Sequence, residues 1–147
     1  MTNETYITKL NELLSSYQLH YQNLRSLHWN IIGQSFFELH LKYEELYTRS
    51  QVIIDEIAER ILSIGETPTS RFSDYLTISK LKENPIINDG KAGVNYILEA
   101  QKTILKQERE LLSISEELDD EGTNALMSDF IREKEKTNWM FKSWLQH

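Results

Sequence analysis

The chain has no cysteine, and only two prolines and five glycines among its 147 residues. The lack of cysteine excludes disulfides, thiolate metal sites and cysteine nucleophiles, and it fits a reducing compartment. No apolar run approaches the roughly 20 residues that a membrane-spanning helix needs. The first residues also lack the basic and apolar segments of a signal peptide. The sequence therefore predicts a cytoplasmic protein without a membrane partner.

Positive charge is also scarce. The chain carries 16 Lys and Arg against 23 Asp and Glu, which gives a formal net charge of -7. Affinity for duplex DNA comes largely from Lys and Arg that neutralise phosphates. The charge balance therefore predicts no appreciable DNA binding, and it favours attraction of cations.

The first half of the chain has two apolar stripes with helical spacing. Apolar side chains recur every three or four residues over residues 7–31 and again over residues 36–64, and a glycine follows each stripe. Between the stripes, Ser35 and Glu38 have the S-x-x-E pattern of a capping box, which indicates that the second helix begins there. These features predict a tight antiparallel helical hairpin.

The second half predicts two more long helices. Residues 66–89 break the pattern and include both prolines. This connection is too long for a hairpin loop, and its aromatic and apolar residues indicate one short packed helix. Asp89 is positioned to cap the third long helix, and an acidic turn over residues 116–122 precedes the last. The predicted fold is an all-α four-helix bundle in which a long crossover makes the second and third long helices parallel.

Two histidines occupy positions where aliphatic residues are expected. His28 lies about one turn before the first helix ends, and His40 about one turn after the second begins. An antiparallel hairpin brings them to the same height, and Glu44 follows His40 by one turn. These three side chains can converge on one Fe, Mn or Zn ion. The plain alternative is that both histidines are hydrogen-bonded core residues.

A second pair, Asp55 and Glu59, lies about 16 Å further along the same helix, measured from Glu44. Metal–ligand bonds are about 2.0–2.2 Å long, so one subunit cannot place both groups on one ion. Either the pair is a solvated surface feature, or a second copy of the chain supplies it across a two-fold axis. The chain has no Glu-x-x-His motif, so the usual di-iron site within one bundle is excluded.

Two ungapped blocks of the sequence strongly resemble the Dps family, the miniature ferritins named as DNA-binding proteins from starved cells. They read H-W-x-x-x-G-x-x-F-x-x-L-H from His28 and D-E-I-A-E-R-I-x-x-I-G from Asp55, and W-M-F-K at Trp139 is similar to the last helix of the family. The resemblance implies one ferritin-like domain over residues 1–147 and a homo-oligomeric shell of twelve subunits. It also implies ferroxidase sites at the two-fold interfaces, where Fe(II) is oxidised preferentially by hydrogen peroxide. The resemblance further implies that the ferric mineral is stored in the cavity of the shell.

The resemblance also implies roles for individual residues. His28, His40 and Glu44 are expected to be catalytic iron ligands from one subunit, and Asp55 and Glu59 ligands from its two-fold mate. The family usually has Asp at the position of Glu44, so the reach to the second iron is expected to differ.

Other family features carry over as expectations. Trp29 matches an aromatic close to the iron, and it either takes up oxidising equivalents or packs an interface. Glu116 and Glu121 are candidates for an acidic pore that draws iron inward. DNA binding in the family depends on basic tails, which this chain lacks. Two other functions stay open, a DNA-protecting nucleoid protein and a non-catalytic metal-binding helical assembly.

Overall fold

The computed structural model describes residues 3–146, and within them it contains five helices and no strand. Their bounds are α1 Asn3–Asn30, α2 Phe36–Ser63, α3 Phe72–Ile78, α4 Gly90–Glu117 and α5 Glu121–Leu145. The predicted all-α class, with four long helices and a short one in the crossover, is confirmed. No helix of the described residues is long and apolar enough to cross a membrane.

Contacts between helix ends define the directions of the long helices. Just past the end of α1, the Ile32 amide donates to the Asn88 carbonyl just before α4 begins (3.1 Å), so α1 and α4 are antiparallel. The short link from α1 to α2 makes those two antiparallel as well, and α2 and α4 are therefore parallel, as predicted. At the other end of the bundle, the Tyr6 hydroxyl donates to Asp120 (2.7 Å), which places the start of α1 beside the start of α5.

The turn between α1 and α2 depends on one glycine. Gly33 has φ of +104°, which side-chain-bearing residues rarely adopt, and its carbonyl accepts the Phe36 amide (3.1 Å). Ser35 occupies the N-cap position, but its side chain makes no capping hydrogen bond. Glu38 instead accepts a hydrogen bond from the Trp144 indole (3.2 Å). The predicted helix start is correct, whereas the capping box is wrong.

Aspartates start the other two long helices. The Asp89 carboxylate accepts the Ala92 amide (2.9 Å), which confirms the predicted cap of α4. Asp120 caps α5 in the same way by accepting the Thr123 amide (3.2 Å). The sequence predicts Asp120 only as part of an acidic turn, and its capping role is a finding of the structure.

The apolar core forms two clusters along the bundle. One surrounds the first half of α1 and the other lies beside the α1–α2 turn, where its buried members are Leu24, Leu27, Ile31, Leu39, Tyr43, Val94, Ile97 and Phe141. The second cluster fixes the relative height of α1 and α2, and with it the positions of the two candidate histidines.

The short helix α3 packs only partly. Tyr75 and Ile78 are half-buried, whereas Phe72 and Leu76 are 81% and 55% exposed. Helix α3 therefore packs against the bundle through Tyr75 and Ile78, as predicted, while Phe72 and Leu76 face away from the described chain.

Candidate metal centre

His28 and His40 lie face to face beside the α1–α2 turn. Their ring centroids are 3.7 Å apart and the ring planes are inclined by 13°. His28 is buried and His40 is half-buried. The predicted equal height of the two histidines is therefore confirmed.

Each ring is held by the backbone of the other helix. The Nδ1 atom of His28 lies 2.6 Å from the His40 carbonyl oxygen, and the Nδ1 atom of His40 lies 2.8 Å from the His28 carbonyl oxygen. A carbonyl only accepts hydrogen bonds, so each Nδ1 carries the proton, and each Nε2 keeps its lone pair while the imidazole is neutral. Histidines that bind metals usually donate their other ring N–H in this way, which fixes both the tautomer and the ring orientation.

Glu44 brings a carboxylate to the imidazole of His28. Its Oε1 atom lies 3.6 Å from His28 Nε2, and its side chain is 51% exposed. Two donors that share one ion at about 2.1 Å stand roughly 3–3.5 Å apart, so this separation is close to that of a ligand pair. The site is open to solvent on the carboxylate side.

Asp55 and Glu59 do not join this group within one chain. Both are exposed on the uninterrupted helix α2, eleven and fifteen residues beyond Glu44, which is at least about 16 Å along its axis. Within residues 3–146, no three His, Cys, Asp or Glu side chains lie close enough together to hold a metal ion. The five-residue ligand set therefore stays a prediction that needs a second subunit.

One exposed face of α2 contains both halves of the candidate site. Its members recur every three or four residues and are all exposed: Phe37, Leu41, Glu44, Thr48, Val52, Asp55, Glu59 and Leu62. A second copy of α2 packed antiparallel, with the crossing near residue 50, places Glu44 opposite Asp55 and Glu59. The same register places Phe37 opposite Leu62. The helical periodicity of the sequence predicts the buried stripe of α2, whereas this second stripe follows from the exposure of its side chains in the structure.

Aromatic side chains surround the two imidazoles. Tyr47 meets His28 edge to face at 5.3 Å, and the Phe36 ring stacks on His40 at 4.8 Å. Trp29 is 57% exposed, and the Arg25 guanidinium lies 4.9 Å from its ring centroid. Whether Trp29 takes up oxidising equivalents stays a prediction.

The acidic turn is organised around Asp120 at the far end of α2. Burial alone would raise the pKa of Asp120, but hydrogen bonds from Thr123, Tyr6 and Arg60 outweigh it and lower the pKa to about 2. The Arg60 guanidinium lies 2.7 Å from the Asp120 carboxylate. Glu116 and Glu121 are exposed beside this network, and their role in a pore stays a prediction.

Known proteins share this fold over nearly the whole chain. A sequence model of the ferritin-like domain matches residues 7–147. DNA protection during starvation protein 2 of Bacillus anthracis is 36% identical, and the match covers 97% of this chain and 98% of that protein.

Solved structures agree with the sequence relatives. The crystal structure of a Dps protein from Vibrio cholerae O1, described as a member of the ferritin-like diiron-carboxylate superfamily, has a TM-score of 0.95 and 45% identity. That match covers 97% of this chain and 90% of the other. Dps from Staphylococcus aureus has a TM-score of 0.94 and 29% identity, with 99% and 98% coverage. The chain therefore belongs to the ferritin-like family and, within it, to the Dps miniferritins.

Proposed function

We propose that this protein is a ferroxidase that oxidises Fe(II) with hydrogen peroxide at sites between two subunits and stores the ferric product in a shell of twelve. The observation that carries the proposal is the reciprocal pair of Nδ1–carbonyl contacts between His28 and His40. Hydrogen bonds of this kind leave both Nε2 lone pairs available to a metal ion, and the Glu44 carboxylate lies 3.6 Å from His28 Nε2 as a third ligand.

The donor set suits iron as a substrate. Imidazole binds first-row divalent ions, and carboxylates favour the harder ferric product. In the proposed site His28 and His40 supply neutral nitrogens, while Glu44 and the Asp55 and Glu59 of a second subunit supply negative charge. Oxidation raises the charge of the iron, so the three carboxylates stabilise the product more than the reactant.

The electron balance requires two iron ions for each peroxide. Two Fe(II) ions give up one electron each, and hydrogen peroxide takes up both electrons and two protons to form two water molecules. The reaction thus consumes ferrous iron and peroxide together and releases no odd-electron oxygen species when both iron positions are filled. The glutamate at position 44 is expected to set how well the second position is filled.

The exposed face of α2 supports the two-fold assembly. Large apolar side chains there include Phe37 at 84% and Leu62 at 57% exposure. Exposed apolar side chains that share one helix face favour an interaction surface. An antiparallel second copy covers them and completes two equivalent sites in one step.

The DNA-protecting function named for some relatives is not favoured here. The net charge of -7 on each subunit would be multiplied twelvefold in a shell and would repel phosphate. We expect no mobility shift of duplex DNA even at low salt. The cytoplasmic location also remains a prediction from composition.

Sedimentation velocity after addition of Fe(II) and then peroxide tests the proposal. We expect ferric absorbance to move with protein absorbance in a particle of about twelve subunits. A shell without ferric absorbance would favour the non-catalytic assembly, and a small particle without it would contradict both the shell and the storage.

A matched pair of variants tests the site itself. Asp55→Asn combined with Glu59→Gln should abolish rapid peroxide-driven oxidation and leave the shell intact. Glu99→Gln, an exposed carboxylate on α4, serves as the control and should change neither. Loss of assembly in the Asp55→Asn/Glu59→Gln variant would instead indicate a structural metal site.

A further inference from the structure

A second cluster of polar side chains is sealed inside the bundle. The Glu108 carboxylate of α4 is 0% exposed, and its Oε2 atom accepts a hydrogen bond from the Tyr17 hydroxyl of α1 (2.6 Å). The Lys134 ammonium of α5 lies 3.0 Å from the same oxygen and is 7% exposed. Three long helices therefore contribute to one charged group that plays no part in the proposed ferroxidase site.

Two buried polar atoms in this part of the bundle have no hydrogen-bond partner among the described residues. Glu108 Oε1 and His20 Nδ1 are both buried without a hydrogen-bond partner among the described residues, and His20 is 4% exposed. Buried polar atoms of this kind are costly unless they are paired. Glu108 therefore has one oxygen free for a further ligand, and His20 lies about one turn beyond Tyr17 on α1.

Burial and the ammonium together determine the charge states. Burial raises the pKa of Glu108, and attraction to Lys134 opposes that rise. Burial likewise lowers the pKa of Lys134, and attraction to Glu108 opposes it. For His20, burial and the nearby Lys134 together lower the pKa to about 3, so the imidazole is neutral and keeps a lone pair.

A carboxylate, a neutral imidazole and a phenol are all ligands for first-row divalent ions. Four-helix bundles of the ferritin type can hold metals in their cores through Glu and His side chains from facing helices. In this chain an ammonium group lies beside the carboxylate. Its side chain fills the space next to Glu108, and it also lies 4.9 Å from the ring centroid of Tyr17.

We propose that the core cluster is a divalent-metal site closed by Lys134, whose ammonium occupies the place of the cation beside Glu108 and Tyr17, with the His20 imidazole one turn along α1 as a further ligand. The fixed charge neutralises Glu108 and repels any incoming divalent ion, so Fe(II) is excluded from the interior of each subunit. Lys134 is then a selectivity residue that confines metal to surface sites. This inference does not depend on the ferroxidase activity, since it concerns a different part of the bundle.

Removal of the ammonium should open the site. The experiment uses the full chain with Asp55→Asn and Glu59→Gln as background, so that the surface carboxylates contribute no binding. In this background, Lys134→Ala should bind about one additional Co²⁺ per subunit in equilibrium dialysis, with a new visible Co²⁺ absorption band. Its melting temperature should rise with Co²⁺ concentration, because an ion that binds only the folded state stabilises it.

A matched control separates metal binding from loss of the lysine. Lys134→Ala combined with Glu108→Gln keeps the enlarged cavity but lacks the anion, and it should bind no additional Co²⁺. Adding His20→Phe to Lys134→Ala should weaken Co²⁺ binding by about tenfold or more.

Three outcomes would overturn the proposal. The first is that Lys134→Ala binds no more Co²⁺ than the background. The second is that the Glu108→Gln control binds as much Co²⁺ as Lys134→Ala. The third is that Lys134→Ala stays unfolded even with Co²⁺ while the Glu108→Gln control folds, because the ammonium would then not be replaceable by a metal ion.

Discussion

The surface and the interior of this bundle each bring histidine and glutamate together, with opposite consequences. At the α1–α2 turn, His28 Nε2 faces the half-exposed Glu44, and no lysine or arginine pairs with that carboxylate within the described residues. In the core, the carboxylate of Glu108 is fully buried and paired with Lys134. The residue types are nearly the same, so the neighbouring charge and the access of water decide which group can take up a metal.

The two regions also differ in the free-energy cost of an ionised carboxylate. Water solvates Glu44 directly, so this carboxylate can stay ionised without a bound cation at little cost in folding free energy. Glu108 cannot be left ionised and alone, because a buried unpaired charge is strongly unfavourable. A site that must bind and release ions therefore belongs at a surface that a second subunit can cover.

The largest expected effect comes from breaking the core pair. Lys134→Met leaves Glu108 buried without its partner and should lower the free energy of unfolding by about 3–5 kcal/mol. Urea unfolding at fixed subunit concentration measures this, and the Glu108→Gln/Lys134→Met double variant should recover most of the loss. The exposed Arg109–Glu135 pair provides the contrast, since Arg109→Met should cost less than about 1 kcal/mol. Equal losses of unfolding free energy in Lys134→Met and Arg109→Met would show that the core pair stabilises the fold no more than a surface pair does.

The next largest effect is on Fe(II) affinity, and it distinguishes His28 at the α1–α2 turn from His20 in the core. His28→Phe should weaken Fe(II) binding by about 100-fold or more, since even outer-shell changes cost about 10–100-fold at metal sites. His20→Phe, the matched change in the core, should leave Fe(II) affinity unchanged. Anaerobic Fe(II) titration measures both. A similar loss from the two substitutions would place iron in the core rather than at the α1–α2 turn.

Acid stability gives a smaller effect with a defined direction. The pKa of His20 is about 3 in the folded chain, against an ordinary value of 6.5. Between these values the unfolded chain binds a proton that the folded chain does not, so stability falls as the pH falls, by up to about 1.4 kcal/mol per pH unit. His20→Phe should flatten this slope between about pH 6 and 4 in denaturant titrations. An unchanged slope would mean that His20 is protonated in the folded protein.

The smallest effect is expected from the carboxylate of the surface site. Glu44→Asp shortens the side chain by one methylene and should change the affinity for the second iron by about tenfold or less, while the first is unaffected. Fe(II) binding isotherms resolve the two steps. Glu45→Asp is the control on the neighbouring exposed position, and it should leave both steps as they are. An isotherm of Glu44→Asp identical to that of the parent would show that this side chain does not reach the second iron.

Much of the fold follows directly from local patterns in the sequence. The stripes of residues 7–31 and 36–64, the glycine after each and the aspartate before α4 all indicate helix boundaries because each acts within one or two turns. The equal height of His28 and His40 follows as well, since a short turn leaves an antiparallel hairpin little freedom. The missing capping bond at Ser35 shows the limit, because tertiary contacts of Glu38 with Trp144 replaced a local preference.

The sequence contains a local signal for the core pair of Glu108 and Lys134. Lys134 continues the buried rhythm of Met127 and Phe130, and Glu108 continues that of Ile104 on α4. A charged residue in register with a buried stripe signals a buried ion pair, but its partner is on another helix and cannot be identified from one stripe. The same limit applies to Asp55 and Glu59, whose proposed role depends on a second subunit.

The crossed contacts between His28 and His40 also restrict how the chain length can vary. Each ring binds the main-chain oxygen of the opposite helix, so inserting or deleting one residue in the link between Asn30 and Phe36 would rotate both rings away from their acceptors. The crossover between α2 and α4 has no such cross-bonded pair of candidate ligands, and insertions there are expected to be tolerated better. In a fusion or a library design, the link after α1 should therefore keep its length, whereas the crossover is the better place for an insertion.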